Sequence, residues 1–260
     1  MIKLKKLFRR NSVRFLTASL AVSVAATAMG LVLIPVVSAP IGNDLELPAL
    51  SEGADRYTYV IDPGHGGEDG GAVGVDGTEE KHLNLKVAKS LYELMLLNGQ
   101  SVKITRTEDT LLYDYYGDLE DYTGHKKMYD LRNRLKITED TEDSVYVGIH
   151  MNKFTDPRYS GLQVYYSPRI AKSSILAGMI QTSVKNALQR DNERVAKAAT
   201  SGIYILNECH VPAVLVECGF LSSPEECRAL NDEKYQCQLV SSIFHALCTF
   251  ENTKNDPSDK

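Results

Sequence analysis

The sequence predicts a single α/β domain with a mostly parallel six-stranded sheet flanked by helices, preceded by an N-terminal membrane segment. Three observations carry this: six short apolar stretches of strand length, helix-length stretches between them, and a run without charged side chains from Phe15 to Ala39. The strand candidates are 57–62, 102–106, 145–150, 161–166, 202–206 and 213–217, and the helix candidates are 79–97, 126–138, 171–190 and 233–250. With 43% hydrophobic residues in 260, most of the chain can share one core. A formal net charge of -5 gives no general attraction to nucleic acid, so nucleic-acid binding is not expected.

The chain divides by composition. Residues 1–14 carry Lys3, Lys5, Lys6, Arg9, Arg10 and Arg14 and are expected to stay cytoplasmic, while 15–39 are long enough to cross a bilayer as a signal-anchor or signal peptide. Pro40 follows the best cleavage site, Val37-Ser38-Ala39, which favours a retained anchor. Residues 40–56 are expected to form a polar tether, 57–250 the exported domain and 251–260 a disordered tail. Five cysteines fall late, at 209, 218, 227, 237 and 248, without a CxxC pair, so a zinc-thiolate site has little support and disulfide pairing stays open.

Chemistry should collect where the strands end, because ligands of open α/β sheets bind at the carboxyl edge. His65 lies three residues past the first strand, His150 at the end of the third and Glu217 at the end of the last. The glycines of "IDPGHGGEDGGAVG" (61–74) suggest a phosphate loop, but the helix-leading GxGxxG and GK[ST] patterns are missing and Asp62, Glu68 and Asp69 would repel an anion. A tight glycine-flanked loop can instead fix one imidazole. Alone, such a histidine more often satisfies backbone in a turn; its partners reverse that.

The helix expected over 79–97 has Thr78 as a plausible N-cap and Gly99 as the residue just past its end. Its core stripe is Leu83, Val87, Leu91 and Leu94, and one turn back it meets Glu80; His82, Lys86, Lys89 and Glu93 lie on the polar side. A first-turn acid is also favoured by the helix dipole, but that suits a solvent-facing acid better than one on the core stripe. In "SVYVGIHMN" (144–152), alternation puts Val145, Val147 and Ile149 on one face and Tyr146, Gly148 and His150 on the other.

Two imidazoles and one carboxylate, His65, Glu80 and His150, make a three-ligand zinc site with a position left for water. Glu217 ends the buried run Ala213 to Val216, where an unpaired carboxylate is costly; a neighbouring metal centre is the positive partner it needs, and proton transfer its task. Cys218 is set aside as a nucleophile because strand alternation turns it to the opposite face.

The segments "VIDPGHGGEDGGAVG", "EEKHLNLKVAKSL", "VKITRTED", "VGIHMN" and "PAVLVECGFLSSPEE" resemble, in order and spacing, the zinc-dependent N-acetylmuramoyl-L-alanine amidases of bacterial cell walls. The resemblance covers roughly 57–250 and implies one zinc ion held by His65, Glu80 and His150, with Glu217 catalytic and peptidoglycan as substrate. The N-terminal segment, the lack of wall-binding repeats and "SGIYILNECHVPAVLVECGFLSSPEE" resemble more narrowly the CwlD-type spore cortex amidases. That subgroup implies removal of stem peptides ahead of a deacetylase that completes muramic-δ-lactam, and leaves room for an extracytoplasmic activating protein. General wall amidases, a non-catalytic wall-binding module and a stem-peptide peptidase are the alternatives. Two departures stand out: Gly148 occupies a position where many members have serine and is expected to loosen the backbone, and the stretch from His150 to Tyr165 is too short for an autoinhibitory insertion.

Overall fold

The computed structural model describes residues 56–254. The expectations for 1–14, 15–39, most of the tether and most of the tail lie outside the described residues. Among the described residues no helix is long and apolar enough to cross a membrane.

Six strands form one sheet in the order β2-β1-β3-β6-β4-β5: β1 Thr58–Pro63, β2 Val102–Ile104, β3 Ser144–Asn152, β4 Gln163–Tyr166, β5 Lys197–Ala198 and β6 Ala213–Phe220. Strands β2, β1, β3 and β6 run parallel, β4 runs antiparallel to β6, and β5 is parallel to β4. The helices are α1 Glu80–Leu97, α2 Lys126–Glu139, α3 Ala171–Leu188, α4 Tyr204–Glu208, α5 Pro224–Asn231 and α6 Glu233–Glu251.

One face of the sheet presents Val145, Val147, Ile149, Val214, Val216 and Cys218 to a large core shared with Leu83, Val87, Leu91 and Met95 of α1 and with α3 and α6. Each fully buried aliphatic side chain contributes about 1.5–3 kcal/mol, so this layer fixes the axis of α1 against the sheet. The other face carries Tyr146, Ala213 and Leu215 under Ile205 and Leu206 of α4. Alternation thus turns Cys218 away from Glu217, as expected.

Several expectations need correction. Residues 202–206, expected as a strand, lead into helix α4, while the sixth strand is the two-residue β5. A short apolar run has no period that separates strand from helix, and here Asn207 closes a turn by donating from Nδ2 to the Thr200 and Ile203 carbonyls. Thr78 does not cap α1: the N-cap is Glu79, which makes no side-chain cap hydrogen bond. Gly99 does follow the helix end, at φ 67°. The additional helix α5 is capped by the Ser223 hydroxyl, which accepts from the Glu226 N–H at 3.4 Å. All five cysteines are free.

Candidate metal centre and catalytic edge

Each of the four candidate residues comes from a different element. His65 lies in the loop after β1 at φ 61°, a left-handed conformation that a residue with a side chain adopts at a cost of about 1–3 kcal/mol unless its surroundings compel it. Two buried arginines do the compelling. Arg134 of α2 donates to the carbonyls of Pro63 at 2.8 Å and His65 at 2.7 Å, and Arg106 to those of Pro63 at 3.0 Å and Gly64 at 2.9 Å. Arg134 is neutralised by Asp130 at 2.8 Å and by Asp62 at 2.6 Å, and Asp62 also accepts from the hydroxyls of Thr105 and Tyr146. Burial alone would raise the Asp62 carboxyl, but Arg134 and the two hydroxyls hold it below the usual carboxylate range. Among the described residues Arg106 has no such carboxylate at contact distance. Burial and the like charge of Arg134 pull it down to about 10.

Glu80 enters on the first turn of α1 and is 3% exposed. Its Oε2 accepts from the Ala72 N–H at 2.8 Å; its Oε1 accepts from the Met151 N–H at 3.1 Å and from Asn84 Nδ2 at 3.2 Å. The neighbouring Glu79 instead meets Lys81 and His82 on a more open surface, so the inward choice between the two glutamates holds. His150, near the end of β3, brings Nδ1 within 3.0 Å of Glu80 Oε1, and His65 brings Nε2 within 3.3 Å of Glu80 Oε2. Gly64 makes this approach possible, because a Cβ there would fall 2.1 Å from the His150 ring. The other ring nitrogen of His65 meets Asp69 at 3.0 Å, the kind of outer contact that orients an imidazole presenting its opposite nitrogen to a metal.

One atom from each of His65, Glu80 and His150 lies within 4.8 Å of the others, and the set can hold a metal ion. The donors fit zinc chemically: two imidazole nitrogens and one carboxylate, with the carboxylate already fixed by three N–H donors. Burial opposes the charge on Glu80, but the two imidazoles outweigh it and hold the carboxyl far below its usual range. Burial likewise pulls His65 down, but Glu80 and Asp69 outweigh it and leave the imidazole raised. Both shifts express one fact: the carboxylate requires positive charge beside it.

Glu217 pairs in register with His150 on one side and with Gln163 of β4 on the other, so the three form a row across adjacent strands on one face. One Glu217 oxygen, Oε2, is enclosed and has no hydrogen-bond partner among the described residues. Burial raises this carboxyl to about 7; His150 opposes the rise and Glu80 adds to it. A carboxyl poised there can both take and return a proton near neutral pH.

Sequence reasoning missed Arg106, Arg134, Asp62, Asn84 and Gln163. Asp130 and Arg134, four residues apart and in phase with Ile137 on α2, share a buried face, but the same spacing is equally that of a solvated helical ion pair. Asn152, two residues past His150, turns its side-chain oxygen back to the Lys153 N–H at 2.8 Å. Gly148 does not loosen the strand. It makes room for the Tyr146 side chain, whose hydroxyl would lie 2.9 Å from a Cβ at that position and which donates to Asp62 at 2.7 Å. Gly148→Ser is therefore expected to lower stability by about 1–3 kcal/mol, from overpacking, in chemical denaturation; a Tyr146→Phe background should lessen that loss.

The fold and the cluster define a class: an α/β protein whose strand ends can hold one metal ion beside an enclosed acid. Within that class, the sequence model of the N-acetylmuramoyl-L-alanine amidase family matches residues 60–249, and the chain belongs to that family. The germination-specific N-acetylmuramoyl-L-alanine amidase of Bacillus subtilis is 33% identical over 199 residues, covering 76% of this chain and 81% of the relative. The amidase AmiA of Escherichia coli is 25% identical, covering 80% and 81% respectively. Among solved structures, the CwlD amidase from Clostridioides difficile, in complex with the GerS lipoprotein, superposes with a TM-score of 0.69 at 34% identity, covering 76% of this chain and all of that one. The chain is accordingly an enzyme of the N-acetylmuramoyl-L-alanine amidase type, hydrolysing peptidoglycan at the amide between the lactyl group of N-acetylmuramic acid and L-alanine.

Proposed function

We propose that His65, Glu80 and His150 hold one zinc ion and that Glu217 is the catalytic acid and base of the hydrolysis. The observation that carries this reading is the row in which Glu217 adjoins His150, one of three ligand-type side chains whose donor atoms lie within 4.8 Å of one another. Zinc bound there supplies a Lewis acid for the amide carbonyl and lowers the pKa of a water molecule. Glu80 holds His65 and His150 in the orientation described above. Glu217 takes the proton of the attacking water on its carboxylate and returns it to the L-alanine nitrogen as the amide breaks. Its enclosure keeps its proton affinity high enough for the first step, and its place in the row keeps it beside the reacting bond for the second.

The biological setting we infer is the spore cortex, where removal of stem peptides would prepare muramic acid for a deacetylase that completes muramic-δ-lactam. The likeness to a germination-specific amidase and to a CwlD amidase supports this over a vegetative wall role. An extracytoplasmic activating protein is part of the same reading, and the CwlD structure, solved in complex with a lipoprotein, supports a partner of that kind. We further propose that 15–39 export and anchor the chain, with 1–14 cytoplasmic, 40–56 as tether, 57–250 as the extracytoplasmic catalytic domain and 251–260 as a tail.

Mass spectrometry of peptidoglycan fragments incubated with the full chain tests the reaction. Free peptides beginning at L-alanine are expected, and a chelator should abolish them while added zinc restores them. Peptides cut within the stem would mean a peptidase instead, and release unaffected by the chelator would remove the metal from the account.

A further inference from the structure

Strands β4 and β6 are antiparallel with Gln163 opposite Glu217, so Ser160, three residues before Gln163, and Phe220, three residues after Glu217, lie in the same direction from the catalytic row. At about 3.3 Å per residue that place is roughly 10 Å from Glu217. Arg194 occupies it. Its Nε donates to the Ser160 carbonyl at 2.8 Å, and its guanidinium carbon sits 4.7 Å from the centre of the Phe220 ring and 5.6 Å from that of Tyr159.

The root of the side chain is fixed as well. The Arg194 N–H donates to Asn192 Oδ1 at 2.9 Å, and Asn192 Nδ2 donates to the Leu162 carbonyl at 2.9 Å. Gly161, at φ +90°, admits Asn192 where a Cβ would lie 2.7 Å from it. The guanidinium is thus held at one edge by a carbonyl and laid across aromatic rings, while Nη1 and Nη2 take no hydrogen bond or ion pair among the described residues. Glu226, the nearby half-buried acid, feels the charge of Arg194 but forms no direct ion pair with it; its two oxygens accept from the Gly161 and Phe220 N–H groups, each at 2.8 Å. Arg194 also lines a cavity of about 600 Å³ with Arg190, Tyr235 and the acids Asp191, Glu193, Glu225 and Glu226, separate from the four residues of the catalytic edge, so the face it can offer a substrate is the one toward Phe220 and Ser160. Tyr165 feels the charge of both Arg194 and Glu217, which places Arg194 within electrostatic range of the catalytic edge.

A rigid guanidinium presenting two terminal nitrogens matches a carboxylate in bidentate fashion, and stacking on rings costs it none of those donors. In the substrate the lactyl carboxyl is consumed in the scissile amide, so the carboxylates belong to the peptide. Consecutive Cα atoms are 3.8 Å apart, so an acidic side chain one or two residues past the cleaved bond spans the distance to Arg194.

We propose that Arg194 recognises a carboxylate of the stem peptide one to two residues beyond the scissile amide, and so selects acidic peptides on the leaving side of the reaction. This rests on the reading that the amide is cleaved beside Glu217.

The test compares N-acetylmuramoyl-L-alanyl-D-glutamate with its diamide, which has the same shape and no carboxylate, using the full zinc-loaded chain. The unmodified protein should favour the acid at least tenfold in kcat/KM, as expected for one charge-assisted bidentate contact. Arg194→Gln should erase the preference, with the loss on the acid falling on KM rather than kcat, and Arg194→Lys should keep part of it. A preference that survives Arg194→Gln overturns the proposal. So does an equal fall of kcat on both substrates with KM unmoved, which would mark a structural role. If the unmodified chain cleaves neither compound, the cleavage reading is at fault, and recognition is read by calorimetry of L-alanyl-D-glutamate binding to the Glu217→Gln chain. Binding weakened at least tenfold by Arg194→Gln supports the proposal, and binding indifferent to it, or none, overturns it.

Discussion

Glu217→Gln is expected to lower kcat on muramoyl-peptide substrates by about a hundredfold to ten-thousandfold, the range for removing a general acid and base, with KM much less affected. Glutamine keeps the size of the side chain but cannot take a proton from water or return one to the leaving nitrogen. The same substitution should stabilise the metal-free protein above neutral pH. Burial raises Glu217 from an ordinary value of 4.5 to about 7, so as pH climbs through that window the unfolded chain sheds its proton while the folded chain keeps it. The folded state therefore loses stability from this group between about pH 4.5 and 7, and glutamine removes that loss. At about 1.4 kcal/mol per pKa unit, the metal-free variant should be more stable at pH 8 by up to about 3 kcal/mol, and equal to the parent at pH 4. Steady-state kinetics and denaturant titrations at the two pH values check both halves. A variant that is slower but no more stable at pH 8 would mean that Glu217 is not held against its charge.

Arg134→Leu is expected to be the most destabilising single change away from the catalytic cluster. Arg134 is 1% exposed and joins Asp62, Asp130 and two carbonyls of the His65 loop. Removing one partner of a buried pair leaves its carboxylates uncompensated, at a cost of about 3–5 kcal/mol. For a domain of this size, that corresponds to a fall in Tm of roughly 6–20 °C. The loop carrying His65 would lose both of its Arg134 anchors, so zinc affinity should fall with stability. Asp62→Asn should cost less than Arg134→Leu, because the amide can still accept from Tyr146 or Thr105. Calorimetry of the two variants, with and without zinc, distinguishes this network from a mere surface ion pair, whose loss would leave Tm within a degree or two.

What the sequence made legible follows from where chemistry sits in this fold. His65, His150 and Glu217 stand beside apolar runs whose ends are visible, and Glu80 lies one turn up the stripe of a helix with a clear period. Each could be placed on the carboxyl edge without knowing the strand order. The parallel character of most of the sheet was readable from the same alternation. Arg134 was not, because "DLRNRLKI" is polar on nearly every face and nothing local tells a buried guanidinium from a solvated one. Gln163 stayed hidden for a different reason: it meets Glu217 only through the antiparallel pairing of β4 with β6, a long-range register. Gly148 invited an account of looseness because only the folded chain brings the Tyr146 ring over it. The apolar stretch 202–206 shows the same limit, its identity as part of a helix being settled by the face of β3 and β6 on which it packs.

The central claim is that three side chains hold the metal and a fourth works beside it without holding it. Zinc content per chain, measured by elemental mass spectrometry on the purified parent, Glu80→Ala and Glu217→Gln proteins, tests that division most directly. One zinc in the parent and in Glu217→Gln, with less than a tenth of that in a folded Glu80→Ala, is the expected result. Zinc retained by Glu80→Ala, or lost from Glu217→Gln, would contradict it.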